Sequence, residues 1–111
     1  MHKYFVRPKY KTGSCYHEFS KGKWDGKTFW REDSICIDDD DLLEGDFVEI
    51  LIKHVPNYDP YGETEINKFQ WEQIKADCTL SGGKSSAIVK EAEKWMVDTF
   101  DKYEVFTIIG L

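Results

Sequence analysis

No stretch of this chain approaches the roughly 20 consecutive apolar residues that a membrane-spanning helix needs. Its start, Met1-His2-Lys3 running into Tyr4-Phe5-Val6-Arg7-Pro8, also lacks the apolar centre of a secretory leader. A soluble, cytoplasmic protein without membrane contact is therefore expected. Cysteine is scarce: Cys15, Cys36 and Cys78 are odd in number, irregularly spaced and free of any CxxC. That excludes a disulfide framework and points to buried free thiols in a reducing compartment. Proline is limited to Pro8, Pro56 and Pro60, and no internal repeat, low-complexity tract or linker interrupts the 111 residues. One domain, 1–111, with one core is the expectation.

What the chain does have is charge sorted by position. Residues 1–31 hold eight Lys or Arg against two acids; residues 32–66 hold twelve acids against Lys53 alone; the remainder is nearly balanced. The net charge of −6 mainly favours solubility. The central acidic block is different, because a concentrated field can steer and select a basic partner.

The first third looks like β-structure, with candidate strands at Lys3–Val6, Ser14–Phe19, Thr28–Arg31 and Ser34–Ile37 and a tight Trp24-Asp25-Gly26-Lys27 hairpin turn. From Asp38 the period changes. Val48, Leu51, Ile52 and Val55 follow helical spacing up to Pro56, although Phe47–Val55 is also compatible with a buried strand. Asp41 with Glu44, or Asp46 with Glu49, has the spacing of a helix N-terminal cap. The stretch 56–65 is expected to be a loop. After it, Asn67 and Gln70 suit a capping box, with Ile66 stapled to Trp71, and a helix over 68–76 follows.

Ser81-Gly82-Gly83-Lys84-Ser85-Ser86 is expected to be a flexible lead into a long helix whose core stripe is Ile88, Ala92, Trp95, Met96, Thr99, Phe100 and Tyr103. The apolar run 105–111 belongs in the interior of a sheet. The fold class is α+β: an antiparallel sheet formed by an N-terminal meander plus the C-terminal strand, with two to three helices packed on it.

Several chemical motifs are incomplete. Gly83-Lys84-Ser85 resembles the end of a phosphate-binding loop, but Cys78 stands where that loop needs glycine. Asp38-Asp39-Asp40-Asp41 begins like a calcium loop, yet Leu42 and Leu43 occupy its fifth and sixth positions. Cys15, His17, Cys36, His54 and Cys78 are ligand or nucleophile types without ligand spacing; an enzyme or metal protein using them is one alternative. His54 is more simply a helix C-terminal group. No catalytic residue, metal or cofactor is assigned. Eight bases interleaved with Tyr4, Tyr10, Tyr16, Trp24, Phe29 and Trp30 offer an RNA-binding sheet as a second alternative, opposed by the acidic block.

That block has two readings: a solvated helix start neutralised by the N-terminal bases, or an outward acidic face for a cationic protein. Under the second, Asp38, Asp39, Asp40, Asp41, Glu44, Asp46, Glu49, Asp59, Glu63 and Glu65 speed encounter while Tyr58 and Tyr61 supply contact area. The segment Asn57-Tyr58-Asp59-Pro60-Tyr61-Gly62-Glu63-Thr64-Glu65-Ile66, followed by Trp71-Glu72-Gln73-Ile74, resembles small acidic immunity proteins of bacterial polymorphic-toxin and contact-dependent inhibition systems. The resemblance implies a toxin-neutralising role; with the acidic face, the expectation is a non-catalytic module that occludes a basic, nuclease-like toxin.

Overall fold

A computed structural model describes residues 3–13 and 15–110. Five strands, β1 (Phe5–Val6), β2 (Tyr16–Lys21), β3 (Ile35–Asp38), β4 (Glu63–Asn67) and β5 (Val105–Ile109), join four helices, α1 (Asp39–Leu43), α2 (Phe47–His54), α3 (Lys68–Ser81) and α4 (Gly83–Lys102). The strands form one sheet in the order β1-β3-β2-β5-β4, antiparallel throughout. The fold is α+β, as expected. Ser14, the expected first residue of the second strand, and Leu111, at the end of the last, lie outside the described residues, as does His2.

Strand alternation divides the sheet into two faces. Phe5, Phe19, Ile37, Ile66, Phe106 and Ile108 face the helices and are buried. Phe106 is the hub, with Trp71, Trp95 and Phe100 edge-on at 5.8, 5.9 and 5.9 Å and Phe19 at 5.4 Å. Leu42, Phe47, Leu51 and Val55 extend the same core under α1 and α2. Tyr103, the expected last member of the α4 stripe, is 44% exposed beyond the helix end.

The opposite face presents Tyr16, Glu18, Ser20, Cys36, Thr107 and Ile109. It is buried: residues 22–34 fold back over Glu18 and Thr107, and Thr12 bonds the Tyr16 hydroxyl. The fully buried Glu18 carboxylate anchors that segment, accepting from the Trp30 N–H (2.7 Å), the Arg31 N–H (3.0 Å) and the Ser34 hydroxyl (2.6 Å). Trp30 is held at φ 58°, which costs a non-glycine residue about 1–2 kcal/mol. Three charge-assisted or neutral hydrogen bonds offset that strain.

Four local expectations change. Thr28–Arg31 is not a strand and Trp24–Lys27 is not a hairpin turn; β2 and β3 are joined by the long segment 22–34, within which the Asp25 carboxylate ties the Lys27 and Thr28 N–H groups. β1 pairs with β3, not with β2, so the N-terminal strands are not a simple meander. The acidic stretch makes two helices separated at Gly45 (φ 83°); the second, 47–54, is the helix its spacing predicts. Glu63–Asn67, expected as loop and cap, is an edge strand whose last residue does cap α3 through the capping box with Gln70 (2.8 and 2.9 Å).

Between α3 and α4 there is no flexible lead: α4 begins directly after Gly82, whose φ of 74° turns the chain. At the other end of the core, Gly110 passes so close to the 59–61 loop that a β-carbon there would lie 2.1 Å from the Pro60 carbonyl oxygen. This contact, with the Gly110 N–H to Gly62 carbonyl bond of 2.7 Å, fixes the loop ahead of β4 against the end of β5.

Candidate functional site

The registers bring the acidic segments together. Asp38 pairs with Tyr16 at the start of β2, and Glu63 pairs with Ile109 at the end of β5, which itself neighbours Glu18 of β2. Asp38–Asp41 and the loop leading into Glu63 therefore share one end of the sheet. Tyr58 confirms the proximity. Burial pushes its phenol up to about 12, and the charges of Asp39 and Asp59 add to the shift. The basic residues Lys21 and Lys23 lie at or beyond the opposite end, where Lys21 pairs with Phe106.

The acidic residues divide into those used by the fold and those left to solvent. Asp38 caps α1 by accepting from the Asp40 N–H at 2.9 Å; the spacings Asp41 with Glu44 and Asp46 with Glu49 do not act as caps. Asp39 meets the buried His17 at 2.6 Å. Asp41 and Glu44 share Lys84 at 3.2 Å each, and these bonds raise the lysine's pKa against the opposing effect of partial desolvation. Asp46 accepts from the Ser81 and Ser85 hydroxyls, which lower its pKa and tie α2 to the α3–α4 junction. Asp59 accepts from the Tyr61 N–H. Among the described residues, no cation pairs with Asp38, Asp40, Glu49, Asp59, Glu63 or Glu65, and the last five are exposed.

Lys3 stands at this end, at the same Tyr4 ring as Lys84, but the N-terminal bases do not bond its carboxylates. Among the described residues none of them forms an ion pair with the block: Arg31 pairs with Asp25 of its own segment, Lys11 sits 3.4 Å over Trp30, and Lys21 lies over Trp95. Compensation comes instead from Lys84 and, when protonated, His17.

The two tyrosines separate. Tyr61 is 78% exposed beside the carboxylates, whereas Tyr58 is 9% exposed and belongs to the core. Tyr58 thus cannot supply the contact area expected of it, since a ring between Val55 and the sheet end is already desolvated. Sequence spacing gave the two rings equal standing; only the turn at 56–62 distinguishes them.

The remaining chemistry-bearing residues are dispersed. Cys36 and Cys78 are buried, which pushes both thiols up to about 12, while Cys15 is exposed. His17 and Cys36 occupy adjacent strands but opposite sheet faces. His54 sits on Asp77 at 2.6 Å, a bond that lowers the pKa of the aspartate, with Lys53 adding at 3.3 Å. Among the described residues no three His, Cys, Asp or Glu side chains group as metal ligands. The turn before α4 is answered from within, because Asp46 takes the Ser81 and Ser85 hydroxyls and Lys84 turns to Asp41 and Glu44.

Of the basic segment's aromatics, Tyr16 lies on a sheet face but is buried, and Tyr10, Trp24, Phe29 and Trp30 do not line one. Trp24, Phe29 and Trp30 sit on the 22–34 segment and Tyr10 on a short 3-10 turn (Pro8–Tyr10), with Tyr10, Phe29 and Trp30 63%, 51% and 36% exposed. Glu18, which organises that layer, was missed by sequence reasoning. Its only signal is a lone acid on the same strand face as Tyr16 and Ser20 in an otherwise basic segment.

No helix of the described residues is long and apolar enough to cross a membrane. Compared with known protein families, curated proteins and solved structures, the chain matches none, so the acidic end is interpreted from its own residues.

Proposed function

We propose that the protein is a non-catalytic binding module whose acidic end occludes a basic protein partner, in the manner of an immunity protein that neutralises a nuclease-like toxin. One observation carries this reading. Carboxylates from two segments share one end of the sheet, and Asp40, Glu49, Asp59, Glu63 and Glu65 there are exposed without a cation paired to them among the described residues. Such a field accelerates encounter with a cationic surface and rejects anionic ones. Exposed Tyr61 supplies the aromatic anchor that interface cores favour. The likeness of Tyr61-Gly62-Glu63-Thr64-Glu65-Ile66 to immunity proteins supports the same reading, for which a cytoplasmic location is proposed.

The test is capture from the source cell with tagged wild-type bait and with an Asp40→Lys/Glu44→Lys/Glu49→Lys bait. These side chains are exposed, and breaking the Glu44–Lys84 surface pair costs little, so the variant should fold. A basic protein retained by the wild type and lost from the variant is expected. Equal retention by both baits would place the interface elsewhere.

A second reading has one observation in its favour. Trp30 is strained, partly exposed and topped by Lys11, and shares a cleft of about 430 Å³ with Arg7, Pro8, Lys9 and the opposing acid Glu32, where one ring face could stack an RNA base. Salt-sensitive RNA retention that disappears in Lys9→Ala/Lys11→Ala would favour it over the toxin-binding reading.

A further inference from the structure

The sheet has an open edge at β4, and two bonds fix which of its backbone groups are free. The Gly22 N–H donates to the Val105 carbonyl at 3.0 Å, so Val105, Thr107 and Ile109 turn their backbone groups toward β2. The Gly110 N–H donates to the Gly62 carbonyl, so Gly62, Thr64 and Ile66 turn theirs toward β5. In an antiparallel ladder these directions alternate. The N–H and C=O of Glu63 and Glu65 therefore point away from the sheet. Among the described residues nothing meets them, whereas the next outward N–H, that of Asn67, is taken by Gln70.

Side-chain direction adds specificity. Glu63 and Glu65 lie on the face opposite the helices and are exposed, while Thr64 and Ile66 are buried toward the core. A second copy of the chain adding antiparallel about Thr64 would set Glu63 against Glu65 twice, and like charges directly opposite one another are destabilising. The same geometry rewards the reverse sign. An incoming strand paired with Glu63 and Glu65 sends its alternate side chains to the same face, with β-carbons about 5 Å from those of the glutamates.

We infer that the β4 edge is a docking site for an extended segment of a basic partner, which adds as a further strand with lysine or arginine at every second position. This rests on the reading of the acidic end as a binding surface and names how part of that partner is held. Backbone bonding supplies affinity and the alternate cations supply selection, as in other cases of strand addition. Charged edge residues usually serve to block aggregation. Here they also choose the sign of what is admitted.

The probe is a short blocked peptide alternating lysine and valine, with a control of the same composition whose lysines are contiguous. Amide hydrogen exchange and chemical shifts of the full chain are followed at millimolar peptide. Protection of the Glu63 and Glu65 amides is expected, with affinity about tenfold weaker for the control and for Glu63→Lys/Glu65→Lys, given a few tenths to one kcal/mol for each cross-strand charge pair. A second variant, Glu65→Pro, removes one outward donor at a position where an edge strand tolerates proline, and should abolish protection at Glu63. Unprotected Glu63 and Glu65 amides overturn the edge proposal, whether the peptide binds elsewhere or not at all. Binding lost only when Asp40, Glu44 and Glu49 are reversed would overturn it while leaving the acidic end as the partner surface.

Discussion

Removing the Glu18 carboxylate tests how the second sheet face is closed. In Glu18→Ala, the Trp30 and Arg31 N–H groups and the Ser34 hydroxyl lose an acceptor that lies 2.6–3.0 Å away. An unsatisfied buried donor costs roughly 1–3 kcal/mol. Ser34 is buried, but Trp30 and Arg31 lie nearer solvent, so water recovers part of the loss at those two. The expected total is about 3 kcal/mol. Glu18→Gln keeps one oxygen and the shape, and faces at least one donor with an amide N–H, so about 1–2 kcal/mol is expected. Urea unfolding monitored by tryptophan fluorescence gives both values. Because the core around Phe106 is untouched, the 22–34 segment should open first, and tryptic cleavage after Lys23 and Lys27 should accelerate in the order wild type, Gln, Ala. If Glu18→Ala stays within 1 kcal/mol of wild type and its cleavage is not faster, the carboxylate does not hold this layer.

The remaining expectations concern ionisation and thiol access. The lowered pKa of Asp46 arises first from the Ser81 and then the Ser85 hydroxyl. Its stabilisation is thus complete above the unfolded carboxylate value near pH 4 and disappears as pH falls through the lower folded value. The melting-temperature gap between wild type and Asp46→Asn should be flat above about pH 5 and narrow in stronger acid; a gap that widens in acid refutes the assignment. For the cysteines, a thiol reagent should modify Cys15 in the native protein and reach Cys36 and Cys78 only after denaturant is added, in line with their burial. Rapid native labelling of Cys36 would mean that the 22–34 segment does not seal the second sheet face.

Much of this architecture is legible in local chemistry. The Asn67–Gln70 box, the α4 stripe as far as Phe100 and the C-terminal strand through Ile109 each depend on neighbours within a few residues, and each forms. What is not legible depends on long-range partners. β4 reads as loop because Glu63 and Glu65 carry no apolar alternation on the outer face of an edge strand, and its identity comes from β5, forty residues later. Likewise, Asp46 has the spacing of a cap but turns to serines on the α3–α4 junction, a choice set by how α2 docks. The acidic site was legible as a block of charge; that Tyr58 belongs to the core, and that Lys84 and His17 claim Asp41, Glu44 and Asp39, followed only from packing.

The proposed function requires that the negative field at this end of the molecule, offset in part by Lys84, draw in a positively charged protein. Its most direct measurement is the association rate of the captured partner as a function of ionic strength, for wild type and for Asp40→Lys/Glu44→Lys/Glu49→Lys. The wild-type rate is expected to fall steeply with added salt and the variant to be at least about tenfold slower at low salt, the two converging at high salt where charges are screened. Rates that are insensitive to salt and equal in the two proteins would contradict it.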